Sequence, residues 1–163
     1  MALATTPFAT VRLAKAADAG GILDCLRAAF DPYSARYTPD AFADTTLTPD
    51  ALKRRLMTMA VAVACAGPGT IVGTVAWSLG ALDGGHLRGM AVLPDCHGRG
   101  IGSALLLAAE TELRIRGARR ISLDTTAPLE AAIRFYTKHG FAPTGRVRDF
   151  FGMTLFEYDK SLE

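Results

Sequence analysis

The chain has no charge excess, no paired cysteine motif and no long apolar run. Its 18 Lys and Arg against 16 Asp and Glu leave a formal net charge of +2. No basic run is interleaved with aromatic residues, which argues against a groove for nucleic acid. Cys25, Cys65 and Cys96 are far apart and form no C-x-x-C pair, so neither a disulfide framework nor a zinc site is indicated. His86, His97 and His139 share no metal-ligand spacing. No apolar stretch approaches the roughly 18 residues of a membrane span, and MALATTPFATVRLAK lacks the pattern of a secretory signal. The expectation is a soluble, cytoplasmic protein with no metal, membrane or nucleic-acid partner.

What remains is ordinary globular composition. At 163 residues, half of them hydrophobic, the chain reads as one domain over residues 1–163. Phe8–Lys15 alternates and predicts an edge or half-buried strand. Asp18 is placed to cap a helix whose inner stripe is Ile22, Cys25, Leu26, Ala29 and Phe30. Tyr33–Leu47 has no period and reads as a long loop, either a mobile connection or a wall facing substrate. Thr48-Pro49 starts a second helix, with Leu52, Leu56 and Met59 on its inner face.

Strands then follow at 60–66 and 70–78 around Gly67-Pro68-Gly69, and at 86–93 after Asp83-Gly84-Gly85. A helix runs from about Ile101 to Arg116 and stops at Gly117. A short strand at 121–125, a helix opened by Pro128 and a closing hairpin around Arg148-Asp149 complete the chain. Antiparallel strands leading into a βαβ unit imply an α+β domain with a mixed sheet of about seven strands and helices on its faces. Strands at His86 and Ile121 should run parallel, with a ligand at their carboxyl ends.

Gly98, Gly100 and Gly102 alternate where the third of those strands gives way to a helix. Glycine permits positive φ and close approach, and a helix start offers free N–H groups to an anion. A phosphate or pyrophosphate is the natural ligand. A Walker A loop would need a lysine before its Ser/Thr, yet Gly102-Ser103-Ala104 has none. The dinucleotide fingerprint would need glycine where Ser103 stands, and would open the chain rather than follow its middle.

Val92-Leu93-Pro94 followed by His97-Gly98-Arg99-Gly100-Ile101-Gly102 resembles the first signature of the GNAT superfamily of acyl-CoA-dependent N-acyltransferases. LEAAIRFYTKHGF resembles the second, with Ala132, Ile133, Tyr136, Gly140 and Phe141 on its fixed points. The resemblance runs from Val11 to about Leu162. Two positions depart from it: His97 stands where Arg or Gln is usual, and Leu129 where Asn is frequent.

The resemblance implies a mostly antiparallel GNAT fold and an acetyl-CoA co-substrate. His97, Gly98, Arg99, Gly100, Ile101, Gly102 and Ser103 would cradle its pyrophosphate. The backbone of Met90, Ala91 and Val92 would pair with pantetheine and polarise the thioester carbonyl. Arg99, and less directly Arg116, Arg119 and Arg120, are candidates for the 3′-phosphate.

Acyl transfer to an amine needs a neutral nucleophile, donors for the oxyanion and a proton for the departing thiolate. The resemblance makes Tyr136 the acid. From spacing alone, Tyr136 reads as a core residue on a helical stripe with Ala132, Phe135 and His139. Asp124 is the candidate base, although a carboxylate ending a strand also serves as a turn-former; His86, Glu130 or water are the other bases. Cys96 beside His97 is not read as a thiol–imidazole pair, because adjacent extended side chains point apart.

The function expected is N-acetylation of a primary amine by direct transfer in a ternary complex. The rivals are an inactive acyl-CoA-binding module and a nucleotide-binding domain. Tyr33, Tyr37, Asp40 and Asp44 hint at a cationic acceptor such as a polyamine, aminoglycoside or amino acid, with a protein N-terminus or lysine equally open. The family resemblance also allows a homodimer.

Overall fold

A computed structural model describes all 163 residues. One sheet organises it, with strand order β1-β2-β3-β4-β5-β6-β8-β7. The strands are β1 (Ala2–Thr5), β2 (Thr10–Leu13), β3 (Ala60–Cys65), β4 (Ile71–Leu79), β5 (Gly84–Val92), β6 (Arg120–Thr126), β7 (Ala142–Phe150) and β8 (Met153–Ser161). All neighbours are antiparallel except β5 and β6, which run parallel as the βαβ reading requires. The count is eight rather than about seven because Ala2–Thr5 adds an edge strand to β2. β2 is therefore interior, and its Val11 is fully buried.

Alternation along β3 shows how the two faces are divided. Ala62 and Ala64 face a core built with α4 (Ile101–Ile115) and α5 (Glu130–Lys138). Val61 and Val63 face the other core, with Ile22, Cys25 and Leu26 of α1 (Ala19–Phe30) and Leu52 of α3 (Pro49–Thr58). Period-2 strands and period-3.6 helices produce exactly this two-layer burial on each side of a sheet. Close packing at one point depends on a missing side chain: a Cβ on Gly85 would lie 2.7 Å from a Leu113 methyl of α4.

Two expectations are corrected here. The 33–47 segment is not a loop but a 3-10 turn followed by α2 (Pro39–Thr46). Thr38 caps α2 by accepting the Ala41 N–H at 3.3 Å, just as Thr48 caps α3 through Ala51 at 3.1 Å. Asp18, for its part, does not cap α1 with its side chain. Its buried carboxylate accepts both Arg12 guanidinium nitrogens, at 2.8 and 3.0 Å, and the Lys15 N–H at 2.7 Å.

The Arg12 hydrogen bond, ahead of the opposing effect of burial, holds the Asp18 carboxyl below its ordinary 3.8. Its stabilisation is thus complete above pH 3.8 and is lost as pH falls through the lowered value. Asp18→Asn should cost about 2–3 kcal/mol, since it leaves a partly buried guanidinium without its charge partner. Urea unfolding at neutral pH measures this.

Candidate active site

The site begins where sheet pairing stops. β5 and β6 are matched only at Gly84↔Arg120, Gly85↔Ile121 and His86↔Ser122, although β5 continues to Val92 and β6 to Thr126. A bulge in β5 accompanies the parting. Opposite β4, Ala76 faces Arg88 and Thr74 faces Ala91, so three steps on β5 meet two on β4. Gly89, within the bulge, has φ of +58°. Bulges bend a strand and increase its twist. Beyond His86, the β6-side edge of β5 is therefore left without a strand partner. A cavity of about 920 Å³ occupies the wedge, within the size range of small-molecule sites.

At one end of the cavity lies the glycine loop. Gly98 and Gly100 both have φ of +75°, and a Cβ built on either meets no atom within 4 Å. Nothing in the packing demands their smallness, while the backbone demands their conformation. Gly100 is the N-cap of α4 and supplies no capping side chain, so the first-turn N–H groups face outward uncapped. Gly102 differs: its φ is not positive, and a Cβ there would lie 3.3 Å from the Phe135 ring.

His97 Nε2 donates to the Val92 carbonyl oxygen at 3.1 Å and draws the loop onto the end of β5. Ser103 Oγ lies 3.0 Å from His139 Nε2, and His139 Nδ1 lies 2.9 Å from the Phe135 carbonyl oxygen. A carbonyl only accepts, so Nδ1 carries the proton and, in the neutral ring, Nε2 accepts from Ser103. This bridge ties the end of α5 to the start of α4. These groups fit a pyrophosphate: uncapped N–H donors, open space and backbone turned by positive φ.

Most of the residues named from sequence meet in this cavity. Met90, Val92, His97, Gly98, Gly100, Ile101, Gly102, Ser103, Asp124 and Tyr136 all line it, and so does Leu129. Ala91 and Arg99 do not. Ala91 turns its methyl into the α1-side core, which leaves its backbone role intact. Arg99 stacks its guanidinium over the Phe8 ring at 5.3 Å. Arg119 and Arg120 pair with Glu163 and Asp159. With Arg116 they stand past the far end of α4, about 22 Å of helix from the glycine loop at 1.5 Å per residue.

Tyr136 is buried, packed edge-on between the rings of Phe135 and Phe141 at 5.5 and 5.6 Å. No protein group hydrogen-bonds its hydroxyl. Burial pushes the phenol pKa well above its ordinary 10.0, so the group stays protonated at any working pH. The ring is thus core, and the hydroxyl is left unpartnered.

Across the wedge, the Asp124 carboxylate forms an ion pair with Arg148 and stands 3.8 Å from His86 Nε2. His86 Nδ1 in turn meets Ser122 Oγ at 3.0 Å. Burial, reinforced by Arg88 and Arg148 and partly offset by Asp124, lowers the His86 pKa below 6.5. The ring is consequently neutral at pH 7 and able to accept a proton.

The segment read as a wall does stand over the cavity, through Tyr33, Tyr37, Asp44 and Thr45. Tyr37 hydroxyl meets Thr126 Oγ1 at 2.5 Å, and Thr38 Oγ1 donates to the Phe151 carbonyl at 2.8 Å. These bonds anchor the wall to β6 and to the closing hairpin. Asp40 does not line the cavity, and Asp44 is paired with Arg88 at 3.4 Å. The acidic residues thus offer less to a cation than their sequence clustering suggested. Sequence reasoning missed Arg55, which also lines the cavity. It was nonetheless visible as the i+3 member of the stripe Leu52, Leu56 and Met59.

Comparison with known proteins agrees with this geometry. The structure superposes on a PaiA N-acetyltransferase from Thermoplasma acidophilum, solved in complex with coenzyme A, with a TM-score of 0.76. That match has 20% identity and covers 93% of this chain and 97% of the other. Among curated proteins, the chain is 42% identical over 59 residues to a mycothiol acetyltransferase of Nocardia farcinica, 36% of this chain and 20% of that one. It is 32% identical over 76 residues to N-alpha-acetyltransferase 30 of Schizosaccharomyces pombe, 45% of this chain and 51% of that one. The matches span about half or less of these curated relatives. Residues 22–141 match the model of the acetyltransferase (GNAT) family, and the chain belongs to that family.

Proposed function

We propose that the chain transfers an acetyl group from acetyl-CoA to a primary amine by direct attack in a ternary complex. One observation supports this above the others. A single cavity joins an anion-binding helix start, an unpaired strand edge, a protonated phenol and a neutral imidazole beside a carboxylate. Bound acetyl-CoA supplies the activated acyl thioester.

The residues of the chain do the rest. N–H groups from Gly98 to Ser103 hold the pyrophosphate, and Arg99 remains the candidate for the 3′-phosphate. The β5 edge at Met90–Val92 aligns pantetheine, and one of its N–H groups polarises the acyl carbonyl. Asp124 takes the proton of the acceptor ammonium, directly or through His86, and so frees the nitrogen lone pair to form the new N–C bond. As the C–S bond breaks, the Tyr136 hydroxyl gives its proton to the sulfur, and the second proton, shed by the acylated nitrogen, passes through water to restore the phenol. Three unpaired cysteines support a reducing, cytoplasmic setting. β1 and β7 at the two sheet edges leave room for a homodimer.

Thermal shift with CoA, acetyl-CoA, ATP and NAD, together with CoA-thiol release over a panel of amines, tests the reading. CoA and acetyl-CoA are expected to raise Tm, and at least one amine to be acetylated. Stabilisation by ATP or NAD but not CoA overturns the proposal. Binding of CoA without turnover of any amine assigns the chain as an acyl-CoA-binding module instead.

A further inference from the structure

Arg55 has no place in the scheme above, yet it stands in the same cavity. It projects from α3 into the α3-side space left by the β5 bulge. A Cβ placed on Gly89 would lie 2.3 Å from Arg55 Nη1, so the guanidinium takes the position of the missing side chain. The side chain is only partly exposed, and no protein hydrogen bond or ion pair is made to it. Cationic side chains are normally left unpaired where water can surround them, and a half-buried one without a partner is costly.

The neighbouring charges deepen the asymmetry. Arg88 is paired with Asp44, and Arg148 with Asp124. Asp149, on the opposite wall, lies 3.5 Å from the Gly152 N–H within its own hairpin. Asp44 is thus engaged by Arg88, and no carboxylate forms an ion pair with Arg55. Burial, with repulsion from Arg88 and partial relief from Asp44, lowers its pKa to about 10, which still leaves it a cation at neutral pH. Along β5 it sits between His86, beside the candidate base, and Met90, where the strand edge lies open. A group held there would be part of the molecule whose amine faces Asp124 and His86.

We propose that the acetyl acceptor is an amine that also carries an anionic group, a carboxylate or a phosphonate, and that Arg55 binds this group. The inference rests on the acetyltransferase reading for the word acceptor. The geometry at Arg55 itself stands apart from it. A guanidinium suits such a partner because its planar fork bonds two oxygens at once. Arg88 adds positive potential and becomes a second donor where the anion displaces Asp44. Polyamines and aminoglycosides, which would bring further positive charge to Arg55, are disfavoured acceptors.

The test uses matched amine pairs that differ only in this group: β-alanine with its amide, and 2-aminoethylphosphonate with its diethyl ester. In the wild-type protein, kcat/KM for the anionic member should exceed that of its neutral partner by at least about tenfold. In Arg55→Met this ratio should collapse toward one, mainly through KM, and Arg55→Lys should recover part of it. Equal use of both members by the wild type overturns the proposal, and so does a ratio that persists in Arg55→Met.

Calorimetric titration of β-alanine and 2-aminoethylphosphonate into the CoA-loaded protein reads the arginine without turnover. At least one should bind the wild type, with affinity reduced about tenfold or more in Arg55→Met. This result upholds the anion site even if no amine is acetylated, in which case only the enzymatic reading fails. No binding of either compound, or equal affinity in both proteins, overturns the site whatever the turnover result.

Discussion

Tyr136→Phe is expected to lower kcat by about 10²–10⁴-fold, the usual size of a lost general acid. The affinity for CoA should change little. The ring packs between Phe135 and Phe141, and phenylalanine preserves that packing. The hydroxyl has no protein partner to abandon, so Tm should be maintained. This combination separates a catalytic hydroxyl from a structural one, because a core tyrosine bonded to the protein would lose stability without losing rate selectively.

The pH profile adds a second readout. Burial raises the Tyr136 pKa above 10.0, so ionisation of Tyr136 should impose no fall in kcat as pH rises through 10. Burial lowers the His86 pKa below 6.5, so a His86-dependent rate falls only as pH drops below that value. Tyr136→Phe should keep this acid limb. A variant as fast as wild type removes Tyr136 from the chemistry.

Gly100→Val is expected to weaken CoA binding by roughly 100-fold or more, measured by calorimetry. Valine at a φ of +75° is strained, and β-branched residues are rare in that region. If the backbone turns to relieve the strain, the first N–H groups of α4 no longer converge. Two lost charge-assisted bonds at about 1.5–3 kcal/mol each account for the effect. Gly102→Val should act differently, by pressing on Phe135 at 3.3 Å, and so should also disturb the ring beside Tyr136. Unchanged affinity in both variants contradicts the pyrophosphate assignment.

The legible parts of the chain were those where local pattern and long-range packing agree. α1, α3 and α4 carry apolar stripes, and the hairpin between β3 and β4 carries Gly-Pro-Gly, so their boundaries emerge within a few residues. α2 was missed because it has little apolar face: only Ala41 and Thr46 are buried. Its Thr-Pro start is the same as that of α3, and that signal alone could have revealed it. β1 was missed because four residues of ALAT show no period and gain strand structure only by pairing with β2.

The site followed the same division. The glycine loop and Tyr136 are local signatures. Asp124 could be named, but its ties to Arg148 and His86 depend on β5 running beside β6 and on β7 coming within side-chain reach of it across β8. Arg55 depends on the bulge at Gly89, and a bulge is a property of two strands in register.

The three-residue match between β5 and β6 has a mechanical consequence. Five strands lie on one side of this seam and three on the other, and few backbone bonds stitch the halves together. On the proposed function, an extended ligand paired along Met90–Val92 would act as a splint across the gap, so that its grip and the rigidity of the sheet would rise together. Coupling of this kind stabilises the fold by about 2.7 kcal/mol at a ligand concentration one hundred times Kd. On that reading, the sheet would therefore be braced while CoA is bound and looser when it is absent.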